Sequence, residues 1–186
     1  MLYNASEYFV KALANFKEGN ERLLRLPGCD LDVFQVFCHW LINKTLPAFA
    51  GEITATHTSS GQETLAAQFT VLLSKVWVFA DACLIRGFQN EAMHALLQVM
   101  KASCFGADYV HDALLVAPQD SLLRQALVRH MTFAWARGSL DKNDYGKLED
   151  IKGLFGEFTE DTMRVNPLND DDWKEEYYEH YMVEED

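Results

Sequence analysis

The sequence predicts a mostly α fold with only one or two short strands. Two observations carry this. Apolar residues recur at helical spacing over long runs, most clearly Leu65, Phe69, Leu72, Val76, Phe79 and Cys83 in "LAAQFTVLLSKVWVFADACLI", whereas the period-two alternation of a half-buried strand is almost missing. Glycine, proline and capping residues also fall between the apolar runs, where helices have to start and stop.

In chain order, "ASEYFVKALANFKEGNERLLRL" sets Tyr8, Phe9, Ala12, Leu13 and Phe16 on the stripe of a short helix that Gly19 stops. "ERLLRLPG" follows as a short strand, Leu23, Leu24, Arg25 and Leu26, ended by Pro27 and Gly28. Asp32 reads as the N-cap of the next helix with Gln35 as its reciprocal partner, and Val33, Phe37, Trp40 and Leu41 fill its apolar face up to Pro47. Residues 50–64 are a polar surface loop in which Ile53 to His57 is a marginal second strand. The long buried helix comes next. Gly87 breaks it, and Phe88, Ala92, Leu96, Val99 and Met100 carry a second helix running antiparallel to the first.

Beyond Gly106, "ADYVHDALLVAP" is a weaker segment. Pro118 with Asp120 or Ser121 then starts a helix through Leu123, Leu127, Met131 and Ala134, which Gly138 ends. A last amphipathic helix spans Lys147 to Met163, with Gly153 and Gly156 each weakening it by about 1 kcal/mol relative to alanine. Pro167 closes the folded part.

With 186 residues, 49% of them hydrophobic and 12% aromatic, the chain can bury one substantial core with an appended subdomain. The formal charge of -12 argues against general nucleic-acid binding, which needs a basic surface to release counterions. Much of that charge is local, because residues 169–186 hold nine acidic side chains against Lys174. Such a segment, its aromatics Trp173, Tyr177, Tyr178 and Tyr181 set among like charges, is expected to be a mobile tail that either solubilises the chain or folds onto a groove.

Cys29, Cys38, Cys83 and Cys104 form no C-x-x-C pair and have no histidine pair at zinc spacing, so they read as reduced thiols, mostly in the core. "MLYNASEYFV" has no basic start and no apolar run of a leader, and no charge-free window approaches a membrane span. A cytoplasmic or nuclear protein is the expectation, with no cofactor and no metal. His39, His94, His111 and His130 stand outside any motif that couples them to a nucleophile or a phosphate loop, so a small helical enzyme is the outlying class.

Taken in order, "S-E-Y-F", "F-K-E-G", "L-L-R-L", "D-V-F-Q-V-F-C-H-W-L" and "V-W-V-F-A-D-A-C-L-I" followed by "L-I-R-G-F-Q-N-E-A" resemble a BTB/POZ domain over residues 5–104. The segment "DSLLRQALV" resembles the helical continuation in the fungal branch of that family. The resemblance implies an α+β fold here lacking its first strand hairpin and most of its first helix: a partial BTB/POZ domain in 1–104, a helical extension in 105–168 and the acidic tail in 169–186. It further implies a non-enzymatic adaptor that binds other proteins.

Two uses follow by resemblance: substrate adaptor for a cullin-type ubiquitin ligase, or assembly module in nuclear regulation. Phe16, Lys17 and Glu18 fall where cullin-binding members carry a hydrophobic-x-Glu motif, with Phe16 as buried anchor and Glu18 as rim charge. The strand Leu23–Leu26 would be an exposed edge without its hairpin, and homo-oligomerisation stays open. Arg124, Arg129 and Arg137 are either solvated helix charges or a basic face for an acidic peptide, a partner's or the chain's own tail.

Overall fold

The computed structural model describes residues 6–15, 26–56, 59–102, 107–139, 142–164 and 179–184. Its helices in chain order are α1 (Glu7–Asn15), α2 (Leu31–Asn43), α3 (Phe49–Ala55), α4 (Ser59–Ala82), α5 (Arg86–Ala102), α6 (Ala107–Val116), α7 (Leu122–Ala136), α8 (Lys142–Lys147) and α9 (Leu154–Arg164). Among the described residues there is no β-strand.

α4 is the axis of the bundle. It packs against α2, α3, α5 and α6, while α5 meets α3 and α7, and α7 meets α6 and α9. Ser60–Ala82 is long and apolar enough to cross a membrane, and within the bundle its Ala66, Leu73, Val76, Phe79 and Ala80 are fully buried. α1 and α2 join this core through rings: Phe9 stacks on Phe37 at 5.9 Å, Phe37 meets Phe79 edge-on at 5.2 Å, and Trp40 lies 5.0 Å from Phe88. Such pairs add about 0.5–1.5 kcal/mol each beyond the area they bury.

The hairpin of α4 and α5 is closed by a Schellman turn. The Ile85 N–H donates to the Ala80 carbonyl at 2.9 Å and the Leu84 N–H to the Asp81 carbonyl at 3.1 Å, with Leu84 left-handed at φ 54°. The break thus falls at Leu84, and Gly87, the expected breaker, lies in the first turn of α5. The turn is locked by polar groups. Fully buried Gln89 donates to Asp81 at 3.0 Å and accepts from Arg86 at 3.0 Å, which leaves no orphaned amide in the core. α7 ends in the same motif with glycine in the strained place: Ser139 N–H to the Ala134 carbonyl, Gly138 N–H to the Trp135 carbonyl, and φ 72° at Gly138.

Because Leu84 holds a glycine conformation and is half exposed, Leu84→Gly is expected to stabilise the protein. Relief of the left-handed strain, about 1–2 kcal/mol, outweighs glycine's extra unfolded-state entropy of about 0.5–1 kcal/mol. Thermal unfolding should show a rise of about 2 °C; a fall would mean that the Leu84 side chain contributes packing that its exposure does not reveal.

The BTB/POZ resemblance, and with it the truncated α+β fold, is overturned. That fold is built round a sheet, and the described residues contain only helices, turns and irregular backbone. Of the marginal strand expected at Ile53–His57, Ile53 to Ala55 are the end of α3 and Thr56 is its cap, while His57 lies outside the described residues: Phe49 and Ile53, four residues apart, are both buried, and the Thr54 and Thr56 hydroxyls donate back to the Gly51 and Glu52 carbonyls at 3.0 and 2.9 Å. Of the expected edge strand, Leu23, Leu24 and Arg25 lie outside the described residues, while Leu26 accepts the Cys29 N–H at 3.4 Å across the Pro27-Gly28 turn.

Two helix boundaries also move. Asp30, not Asp32, caps α2, accepting the Val33 N–H at 3.0 Å and pairing with Lys75 at 2.9 Å; the amide bond first and Lys75 second hold its carboxyl below the usual aspartate range. The single helix expected from Lys147 to Met163 is shorter: α8 ends at Lys147, residues 148–153 are turns in which Gly153 is left-handed at φ 81° and Leu148 and Ile151 face the core, and α9 starts only at Leu154.

Candidate functional site

The described part of the acidic segment, 179–184, is packed on the bundle as a strap. Its Met182 N–H closes a turn onto the Glu179 carbonyl at 3.2 Å. Tyr181 is 2% exposed and belongs to the main core, with Met182 packed beside it. Asn90 of α5 then reads the backbone of one strap residue in both directions: its Nδ2 donates to the Val183 carbonyl at 2.9 Å and its Oδ1 accepts the Val183 N–H at 2.7 Å. A carboxamide paired this way copies the donor and acceptor pattern of a neighbouring peptide group, so it recognises main chain whatever side chain the residue carries.

The strap separates two cavities. On one side a cleft of about 450 Å³ lies between α7 and α9, lined by Arg124, Arg129, Glu157 and Asp161 and by His180 and Tyr181 of the strap. On the other a groove of about 820 Å³ runs along α5 past Asn90, His94, Gln98 and Lys101, lined also by Glu179 and Met182. Tyr181 lines the first and Met182 the second.

The arginines of α7 are turned inward. Arg124, 4% exposed, gives its Nε to both oxygens of Glu157 at 3.0 and 2.7 Å, Nη1 to the Leu114 carbonyl at 3.3 Å and Nη2 to the Lys152 carbonyl at 3.0 Å. A buried guanidinium with its charge and its donors met fastens α6, the Gly153 turn and α9 to α7. One turn on, Arg129 pairs with Asp161 at 3.4 Å. Both arginines thus serve α9 carboxylates spaced four residues apart, and neither presents a basic face to an acidic peptide.

The other sequence candidates do not converge on one chemistry. Phe16, Lys17 and Glu18 lie outside the described residues, as do Trp173, Tyr177, Tyr178 and Cys104. His39 and His94 are exposed on α2 and α5. His111 bridges Asp112 at 2.9 Å and Asp150 at 3.1 Å, and those carboxylates, Asp112 foremost, raise its pKa. Burial pushes the Cys83 thiol up to about 11, and Cys29 is likewise raised, burial foremost, which keeps both away from the thiolate form. Among the described residues no three His, Cys, Asp or Glu side chains are grouped to hold a metal ion.

His130 is the buried exception on α7: burial, aided by the Arg137 charge, lowers its pKa to about 4. The unfolded chain binds this proton near pH 6.5 and the folded chain only near 4, so stability is expected to fall as pH drops through that window, by up to ~3 kcal/mol at the limit. The raised His111 acts oppositely, its share being present below the unfolded pKa and lost as pH rises through its folded value. Melting temperatures from pH 4 to 8 test this: His130→Leu should flatten the acid side of the profile, and an unchanged acid slope would discount the buried imidazole.

No family model matches the chain, and no curated protein and no solved structure is significantly similar to it. The strap residues escaped the sequence reading. One signal was visible, the apolar triplet Tyr181-Met182-Val183 flanked by Glu179 and Glu184, which is the form of an anchor in a charged segment. Nothing local distinguishes Asn90 from other polar helix residues.

Proposed function

We propose that the chain is a non-enzymatic protein-interaction module that seats a short non-helical segment of a partner across α5 and α7, in the groove its own residues 179–184 occupy. The observation that carries this reading is the two-way pairing of Asn90 with the Val183 backbone beside the buried Tyr181 ring. Main-chain recognition supplies affinity without regard to sequence, and one aromatic anchor supplies register, the division of labour by which extended peptides are held. The cavities on both sides of the strap extend the same surface. Cullin binding and nuclear assembly had their basis in the BTB/POZ resemblance, which the helical fold removes.

The test is binding in trans. A fluorescein-labelled peptide of residues 175–186 should bind the full chain carrying Tyr181→Ala, whose own strap is weakened, and binding should drop about tenfold when Asn90→Ala is added, as expected for two lost hydrogen bonds. Absence of binding to a folded Tyr181→Ala chain, or equal binding with and without Asn90, sinks the proposal.

A further inference from the structure

α2 is apolar on two faces. Val33, Val36, Phe37 and Trp40 enter the core, whereas Leu31, Phe34 and Ile42 are 69%, 44% and 71% exposed, with Cys38 and Leu41 half-buried among them. At ~100° per residue these five side chains and Gln35 fall within an arc of about 120°. Leu31, Phe34, Cys38 and Leu41 follow the alternating three-four spacing by which one helix seats against another, and the seam runs for about 16 Å from Leu31 to Ile42. Between Asp32 and Lys44 the sequence holds no Asp, Glu, Lys or Arg, so this seam is bounded by an acid at one end and a base at the other. Lys44 sits with its Nζ 4.8 Å over the Trp40 ring, and His39 is exposed on the flank. The other charges at the acidic end have partners: Asp30 pairs with Lys75, and Asp112, which shares a surface groove with Asp32 and Lys75, pairs with His111.

We infer that this seam of α2 is a homodimer contact, occupied by the same seam of a second copy of the chain packed antiparallel across a two-fold axis. The end charges choose the direction. A parallel pair would set Asp32 on Asp32 and Lys44 on Lys44, whereas an antiparallel pair opposes the acidic and basic ends and the two helix dipoles. The pattern is also self-complementary, as a contact made by the same patch on both copies requires. With the axis midway along the seam, Leu31 faces Ile42 of the second copy and Phe34 falls beside Cys38 of the second copy. Asp32 and His39 lie on the same flank, only ~20° apart around the helix, so the two-fold brings each Asp32 to the level of the other copy's His39. A seam of about 16 Å by the ~10 Å width of a helix is small beside the ~800 Å² per partner of a stable interface, so the dissociation constant is expected on the order of 10 μM. The contact is independent of the groove that holds residues 179–184.

Sedimentation equilibrium of the full chain, over concentrations reaching about tenfold below and above the expected dissociation constant, tests this. The wild type should pass from monomer to dimer across that range. Leu31→Glu and Ile42→Glu should each raise the dissociation constant at least about tenfold, because the dimer would bury an unpaired carboxylate. Both side chains are exposed in the monomer, so melting temperatures in dilute solution should match the wild type; Ile42→Gln, with the same loss expected, replaces any variant whose fold is disturbed. Met163→Glu, on the exposed end of α9, should dimerise as the wild type does. Direction is read from the flank: Asp32→Lys and His39→Glu should each weaken the dimer about threefold at low salt, and the double variant should recover it. Absence of that rescue overturns the antiparallel arrangement. A wild type that stays monomeric at the highest concentration overturns the inference, as does a dimer indifferent to the Leu31 and Ile42 substitutions. A dimer lost in Tyr181→Ala but kept in Ile42→Glu would mean exchange of residues 179–184 between copies, and overturns it as well.

Discussion

Arg124→Ala is expected to be the most damaging single substitution in the molecule. Its guanidinium is buried and holds Glu157, Leu114 and Lys152 together, so removing it leaves a half-buried carboxylate without its cation and two carbonyls without their donor. Breaking a buried pair from one side costs about 3–5 kcal/mol, which in a chain of this length lowers the melting temperature by roughly 10 °C. Arg124→Met is the informative control. It keeps much of the apolar stem but supplies no donor, so a loss nearly as large assigns the effect to the unpaired groups and a small one assigns it to packing. A fall of only 1 °C or 2 °C in Arg124→Ala, followed by circular dichroism, would show that α9 is held by its apolar face alone.

Tyr181→Ala is the second. The ring is 2% exposed and part of the core that α4, α5 and α7 share, and deleting a buried aromatic typically costs about 3–5 kcal/mol. Tyr181→Phe keeps the ring and should lose no more than about 1 kcal/mol. The contrast separates a docked strap from a solvated tail, because for an undocked segment both substitutions, and deletion of 169–186, would leave the melting temperature unmoved.

Much of the helical frame was legible. α2, α4, α5 and α7 follow apolar stripes of which Phe37 and Trp40, Val76 and Phe79, Phe88 and Leu96, and Leu123 and Leu127 are buried, while Leu41, Leu65, Phe69 and Leu72 pack half-buried against the core. Ser121 caps α7 by accepting the Arg124 N–H at 3.1 Å, and Gly138 ends it. The departures have physical causes. A left-handed leucine at 84 carries no composition signal, since the strain is tolerated only because the Asp81, Arg86 and Gln89 network fixes the turn. Asp30 outcompetes Asp32 because Lys75, distant in sequence, reinforces it.

The family resemblance failed for a related reason. The pieces that carried it, "V-W-V-F-A-D-A-C-L-I" and "L-I-R-G-F-Q-N-E-A", encode a helical hairpin with a polar lock at its turn. That arrangement serves any helical bundle and carries no information about a sheet. The strap was hidden differently: the mean composition of 169–186 describes a charged segment, whereas docking is decided by one apolar triplet and an asparagine 93 residues away.

The most direct measurement of the central claim, that residues 179–184 occupy a groove as a bound ligand would, is amide hydrogen exchange at Val183. Its N–H donates to Asn90 at 2.7 Å and should exchange far more slowly than in the free peptide 175–186, with the protection lost in Asn90→Ala while the α4 and α5 amides keep theirs. Exchange of the Val183 amide at the free-peptide rate in the wild-type chain would contradict the account.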